Sequence, residues 1–144
     1  MANAKNAAKA KERVIDADGH FFEGDAVWKK HLDKRFISAM PKLVTDNQGR
    51  IRRVIGNEML PYIPRNPNVK QMNQVEGAAN PKARIADMNR GGVDVMVNYP
   101  TTGLLFGGVR DIPTLVALCR AYNDWAAEFV SYDPKRLIAP AMVP

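Results

Sequence analysis

Arg13-Val14-Ile15-Asp16-Ala17-Asp18-Gly19-His20 is the stretch on which the fold turns. Two β-branched residues, Val14 and Ile15, lead into acids and a histidine at every second position. In an extended strand, side chains two apart share a face. The spacing therefore predicts a strand with Asp16, Asp18 and His20 along one side, the last two nearest its C-terminal end. A carboxylate and an imidazole converging there suit a divalent metal. The same spacing fits a strand running into a loop, with the acids as turn formers and a solvated histidine. Spacing alone leaves both open.

Downstream, Asp25 stands as an N-cap for a helix over residues 26–39, with Trp28, Leu32 and Phe36 at helical spacing and a stop near Pro41. His31, among charged neighbours, is expected on the solvated face. Leu43-Val44-Thr45 and residues 50–55 flank an Asp46-Asn47-Gln48-Gly49 turn, which predicts a hairpin. Arg50, Arg52 and Arg53 form either a basic patch or, as favoured here, the charges of an exposed edge strand. Residues 56–80, with Pro61, Pro64, Pro67 and Gly77, predict a long irregular excursion of the kind often used as a lid.

Regular structure returns at Asn80-Pro81, an N-cap followed by Pro at the first helical position. Ile85 and Met88 supply the apolar face, and Arg90-Gly91-Gly92 the stop. Residues 93–99 then predict a buried strand of the parallel kind. The glycines at 103, 107 and 108 match no phosphate-binding pattern, so a plain mobile loop is expected there. Asp111-Ile112-Pro113 opens the longest helix, whose Leu115, Leu118, Tyr122, Trp125 and Phe129 form a core-facing stripe with Cys119 as a buried packing thiol. Tyr132-Asp133-Pro134 ends it, and a third strand begins at Leu137.

Strands alternating with helices imply right-handed crossovers and a parallel sheet. Ligands bind such sheets at the C-terminal strand ends. Asp18, His20, Tyr99 and the glycine loop would meet there.

The bulk numbers agree with a globular domain. The 144 residues are 46% hydrophobic and 25% charged, enough for a core. No apolar run approaches the roughly 18 residues of a membrane span, so no membrane partner is expected. Residues 1–13 lack the apolar segment of a secretory leader, and a lone Cys119 fits a reducing, cytoplasmic compartment. The net charge is +6, and residues 1–13 hold four cations against one acid, +3 of it. Residues 1–12 are thus expected to be a basic tail, flexible or a frayed helix, ahead of a domain over 13–144. Such a tail can touch nucleic acid, but no aromatic is interleaved for base stacking, so that partner is disfavoured.

Residues 15–23, Ile-Asp-Ala-Asp-Gly-His-Phe-Phe-Glu, resemble the opening motif of the amidohydrolase-related family. That family contains metal-dependent hydrolases and non-oxidative decarboxylases. Residues 84–94, Arg-Ile-Ala-Asp-Met-Asn-Arg-Gly-Gly-Val-Asp, resemble a second signature, with Asn89 where Asp is frequent. Tyr122-Asn123-Asp124-Trp125 and Asp133-Pro134-Lys135-Arg136-Leu137 resemble two later ones, in the right order. The resemblance implies a (β/α)8 TIM barrel with a divalent metal, commonly zinc, at its C-terminal mouth. It implies Asp18 and His20 as first-strand metal ligands, Asp16 as a structural acid, and Glu23 as a candidate to shape a small-molecule substrate pocket, for which Tyr99 is a second candidate by its place at a strand end. Its further histidines and catalytic aspartate belong to later strands.

A full barrel needs roughly 250 residues. The expectation is therefore the N-terminal part of one: about three βα units with an inserted hairpin and a long loop. Either the longer parent is the hydrolase or carboxy-lyase, or the chain is a non-catalytic module that pairs with itself or with the missing barrel half. A basic nucleic-acid-binding module is the third, weaker alternative.

Overall fold

The computed structural model describes residues 12–61, 64 and 75–144. The basic tail, apart from Glu12, and residues 62, 63 and 65–74 of the 56–80 excursion lie outside the described residues. Two three-stranded sheets organise the rest. The first is parallel, in the order β1 (Ile15–His20), β5 (Val95–Tyr99), β6 (Leu137–Ile138). The second is antiparallel, in the order β2 (Lys42–Thr45), β3 (Ile51–Ile55), β4 (Glu58–Met59). The expected hairpin is thus present with an added third strand. That addition makes the arginine-bearing β3 the central strand, where an edge was expected.

Local chemistry explains the connecting helices. α2 (Pro81–Gly91) starts where the Asn80 side chain accepts from the N–H groups of Lys82 and Ala83, and stops at Gly92 with φ +69°, a conformation that only glycine adopts cheaply. α3 (Ile112–Val130) starts where Asp111 accepts from the Thr114 N–H. The helix expected over 26–39 is two pieces. α1 (Asp25–His31) follows Gly24 as N-cap, and a 3-10 helix over Lys34–Ala39 follows Asp33. Asp33 causes the break: its carboxylate takes the Arg35 N–H at 2.9 Å and caps a new turn.

The α3 stripe is the centre of the core. Leu118, Tyr122, Trp125 and Phe129 are buried, and Cys119 lies among them. Phe21, the residue after β1, packs edge-on against Trp125 and Phe129, with ring centroids 5.0 and 4.7 Å apart. Its N–H also bonds the Tyr99 carbonyl at 2.9 Å. The end of β1 is therefore fixed by packing and by backbone pairing together. His31 corrects a further expectation. Only 12% of its side chain is exposed, and Nε2 lies 3.3 Å from Glu128, which also takes Lys30 at 2.7 Å. α1 is thereby tied to α3.

Two later signature segments do structural work. Asn123 accepts from the Met142 N–H at 2.8 Å and donates to its carbonyl at 2.9 Å, pairing like a peptide group. Arg136 donates to the carbonyls of Asp94 and Val93 and to Asn89 Oδ1 at 2.8 Å, joining α2, β5 and β6.

Candidate metal-binding site at the end of the parallel sheet

The pairing of β1 with β5 decides where its polar residues point. Asp16 lies opposite Met96 and Gly19 opposite Asn98, so three steps along β1 match two along β5. This bulge reverses the alternation. Asp16 and Gly19 share the face of Met96, which α2 covers through Arg84. His20, opposite Tyr99, lies on the other face. Asp16, Asp18 and His20 do not line one side, contrary to the expectation from spacing.

Gly19 makes the bulge possible. A Cβ there would lie 2.7 Å from the Met96 Cγ and Sδ and 3.1 Å from the Val97 carbonyl oxygen. Asp16 holds the extra residue in place, its Oδ1 accepting from the Asp18 N–H at 2.9 Å. Asp16 is thereby used by its own backbone and by the field of Arg84. Burial lowers the Arg84 guanidinium below its ordinary pKa, and the charges of Asp87 and Asp16 oppose that shift. Arg84 donates to the carbonyls of Gly77, at 2.7 Å, and of His20.

Asp18 and His20 do come together. Asp18 Oδ1 stands 4.0 Å from His20 Nε2, with the Asp18 side chain 93% exposed. The imidazole is oriented from behind. Nδ1 lies 3.1 Å from the Pro100 carbonyl oxygen and 3.4 Å from Thr101 Oγ1. A carbonyl only accepts, and the Thr101 hydroxyl gives its proton to the Phe21 carbonyl. Nδ1 is therefore the donor to the Pro100 carbonyl, and Nε2 is directed to the side of Asp18. That is how metal-binding histidines are usually held. These two donors fit a divalent cation as part of its ligand set. Among the described residues, no group of three or more His, Cys, Asp or Glu side chains converges.

Tyr99 joins the pair, its ring tilted 45° to that of His20 at 6.3 Å. Glu23 does not. It is 2% exposed, and its carboxylate accepts from the N–H groups of Thr101 at 3.1 Å, Thr102 at 2.9 Å and Gly103 at 3.2 Å. Its own carbonyl accepts from Trp28 Nε1 at 3.2 Å. Enclosed in this way, the Glu23 carboxylate faces the turn at residues 101–103 and stands apart from the Asp18–His20 pair. The glycine loop is corrected: residues Gly103–Gly108 form a 3-10 helix whose start the Glu23 carboxylate caps. Near this charge, burial and then Glu23 itself raise the Tyr122 hydroxyl well above its ordinary pKa.

Pro100, Thr101 and Arg84 are the site-building residues that spacing did not single out. Only Arg84 left a trace in the sequence, as the first residue of the second family signature. A groove of about 810 Å³ runs between the Lys34–Ala39 turn and α3 past Phe36, Ile112 and Arg120. No residue of the candidate site lines it.

No protein-family model matches the chain, and no curated protein matches it. Among solved structures it is similar to an amidohydrolase from Mycobacterium avium subsp. paratuberculosis K-10, with a TM-score of 0.68 and 24% identity. The match covers 91% of this chain and 42% of that one, so the chain spans less than half of its neighbour's length. The likeness is one of fold. No helix among the described residues is long and apolar enough to cross a membrane.

Proposed function

We propose that the chain is the N-terminal portion of an amidohydrolase-type (β/α)8 barrel in which Asp18 and His20 are two ligands of a divalent metal, zinc by preference. The observation that carries the proposal is the orientation of His20. Its Nδ1 is committed to the Pro100 carbonyl, and its Nε2 faces Asp18 at the C-terminal end of a parallel sheet. When bound there, a divalent cation supplies Lewis-acid polarisation of a carbonyl or activates water. The chain's own part is to present the imidazole in one tautomer, to offer one carboxylate, and to set Tyr99 as a flat wall for a small organic substrate. Hydrolysis or decarboxylation follows from what later strands add. A reducing, cytoplasmic location goes with a Cys119 that is buried and unpaired.

The open side of the parallel sheet supports the barrel-fragment view. β1 and β6 are its edges. Ile15 and Ile138, on the face opposite α2, are 61% and 46% exposed. A sheet left in this way favours pairing, with the remaining barrel strands or with a second copy. Nucleic acid as a partner loses its second support, because Arg50 and Arg52 both reach the Asp46 carboxylate, at 2.8 and 3.4 Å.

Zinc titration of the full chain tests the site. Binding is expected in the wild type and is lost in both Asp18→Ala and His20→Ala, with unchanged melting temperatures. Equal zinc affinity in all three proteins refutes the assignment.

A further inference from the structure

Glu23 is a buried carboxylate to which no cation is bonded among the described residues. Its three donors are consecutive main-chain N–H groups, those of Thr101, Thr102 and Gly103. Such a concave run of amides is a strong anion cradle. The same turn delivers two acceptors to His20 Nδ1: the Pro100 carbonyl oxygen at 3.1 Å and Thr101 Oγ1 at 3.4 Å. The turn is closely packed on Glu23. A Cβ at Gly103 would lie 2.8 Å from the Pro100 Cβ and 3.5 Å from Glu23 Oε1. Hydroxyl bonds from Thr101 to the Phe21 carbonyl and from Thr102 to the Glu23 carbonyl, the latter at 3.5 Å, add to this anchorage.

We propose that Glu23 is a positioning residue that sets the tautomer of His20, acting through the turn at residues 100–103. The carboxylate draws three N–H groups inward, which turns the Pro100 carbonyl toward the imidazole. That carbonyl accepts only, so the proton is held on Nδ1 and the lone pair on Nε2. The value of this control for metal binding rests on His20 being a ligand. The control itself does not, and the two are separable by experiment.

The experiment is 15N NMR of the full chain without metal, at a pH where imidazole is neutral. The shifts of the two ring nitrogens report which one carries the proton. In the wild type, His20 is expected to be predominantly protonated on Nδ1. Glu23→Gln places an NH2 donor against N–H donors, so the turn loosens and the tautomers become mixed. Glu23→Asp keeps the charge on a shorter stem and restores part of the bias. If Glu23→Gln unfolds, Gly103→Ala displaces Pro100 with the carboxylate intact and reads the same relay. Zinc affinity is measured alongside and is expected to fall roughly 10- to 100-fold in Glu23→Gln, as for other residues that orient a ligand. A wild-type His20 protonated on Nε2, or identical tautomer populations in wild type and variants, overturns the proposal. Zinc binding that ignores His20→Ala, with the tautomer shift present, sinks the metal assignment and leaves the role of Glu23 standing.

Discussion

The two sheets treat their charged residues in opposite ways. In the antiparallel sheet, Asp46 accepts from the Gln48 and Arg50 N–H groups and from the side chains of Arg50 and Arg52. Every bond lies within six residues of sequence. In the parallel sheet, Asp18 is almost wholly exposed, and the partners that hold His20 are 80 and 81 residues away. The Asp46 carboxylate finds its partners within the hairpin. The parallel sheet is finished on the α2 side and open on the other. Asp46 is satisfied locally, whereas the orientation of His20 beside Asp18 is set by residues distant in sequence.

The largest way to break this contrast is Phe21→Ala. Removing a ring packed on Trp125 and Phe129 is expected to cost about 3–5 kcal/mol, read as a lower midpoint in chemical denaturation. His20 signals should shift with it, whereas those of the hairpin stay in place. Gly19→Ala comes next. Its Cβ meets Met96 and the Val97 carbonyl, so about 1–3 kcal/mol is expected. The shifts should concentrate at Asp18 and His20, because relief of the clash requires the bulge to move.

The hairpin is probed by acid. Burial pushes the Asp46 carboxyl up, but the bonds from Arg50 and Gln48 outweigh it and bring it down to about 2. Its unfolded value is about 3.9. The stabilisation is therefore full above about 4 and lost as pH falls through 2. Asp46→Asn should flatten this part of the acid-unfolding curve, and the Gln48 and Arg50 amide shifts should no longer titrate there. A smaller effect, of opposite sign, is expected from Asn89→Asp. A carboxylate beside Arg136 should stabilise by about 0.2–1 kcal/mol, as exposed ion pairs do. A salt-sensitive rise in melting temperature would show it, and no rise would mean that the amide already suffices.

What could be read from the sequence follows the same division between near and far. The starts of α2 and α3 were legible because Asn80 and Asp111 bond N–H groups two or three residues on. So was the hairpin turn. The alternation of strand and helix followed from these local stops. The break after His31 was not legible, because the apolar spacing runs on through Leu32 and Phe36 while one bond from Asp33 overrides it. The bulge in β1 was hidden, since it exists only against β5. The partners of Glu23 were hidden too, since they are amides 78 to 80 residues later. Of the site, Asp18, His20 and Tyr99 were legible as residues sharing strand ends. The groups that orient them were not.

The acceptor that holds His20 belongs to the main chain of Pro100. Every amino acid carries that oxygen, so no replacement at position 100 deletes it. An alanine scan would pass over the residue whose oxygen meets the imidazole and register the loss one step behind it, at Glu23 or Gly103. Under mutation, this makes the histidine's orientation robust at the point of contact and fragile one step behind it. Drift in the loop sequence would be tolerated so long as the carboxylate and the small residue beneath it are kept.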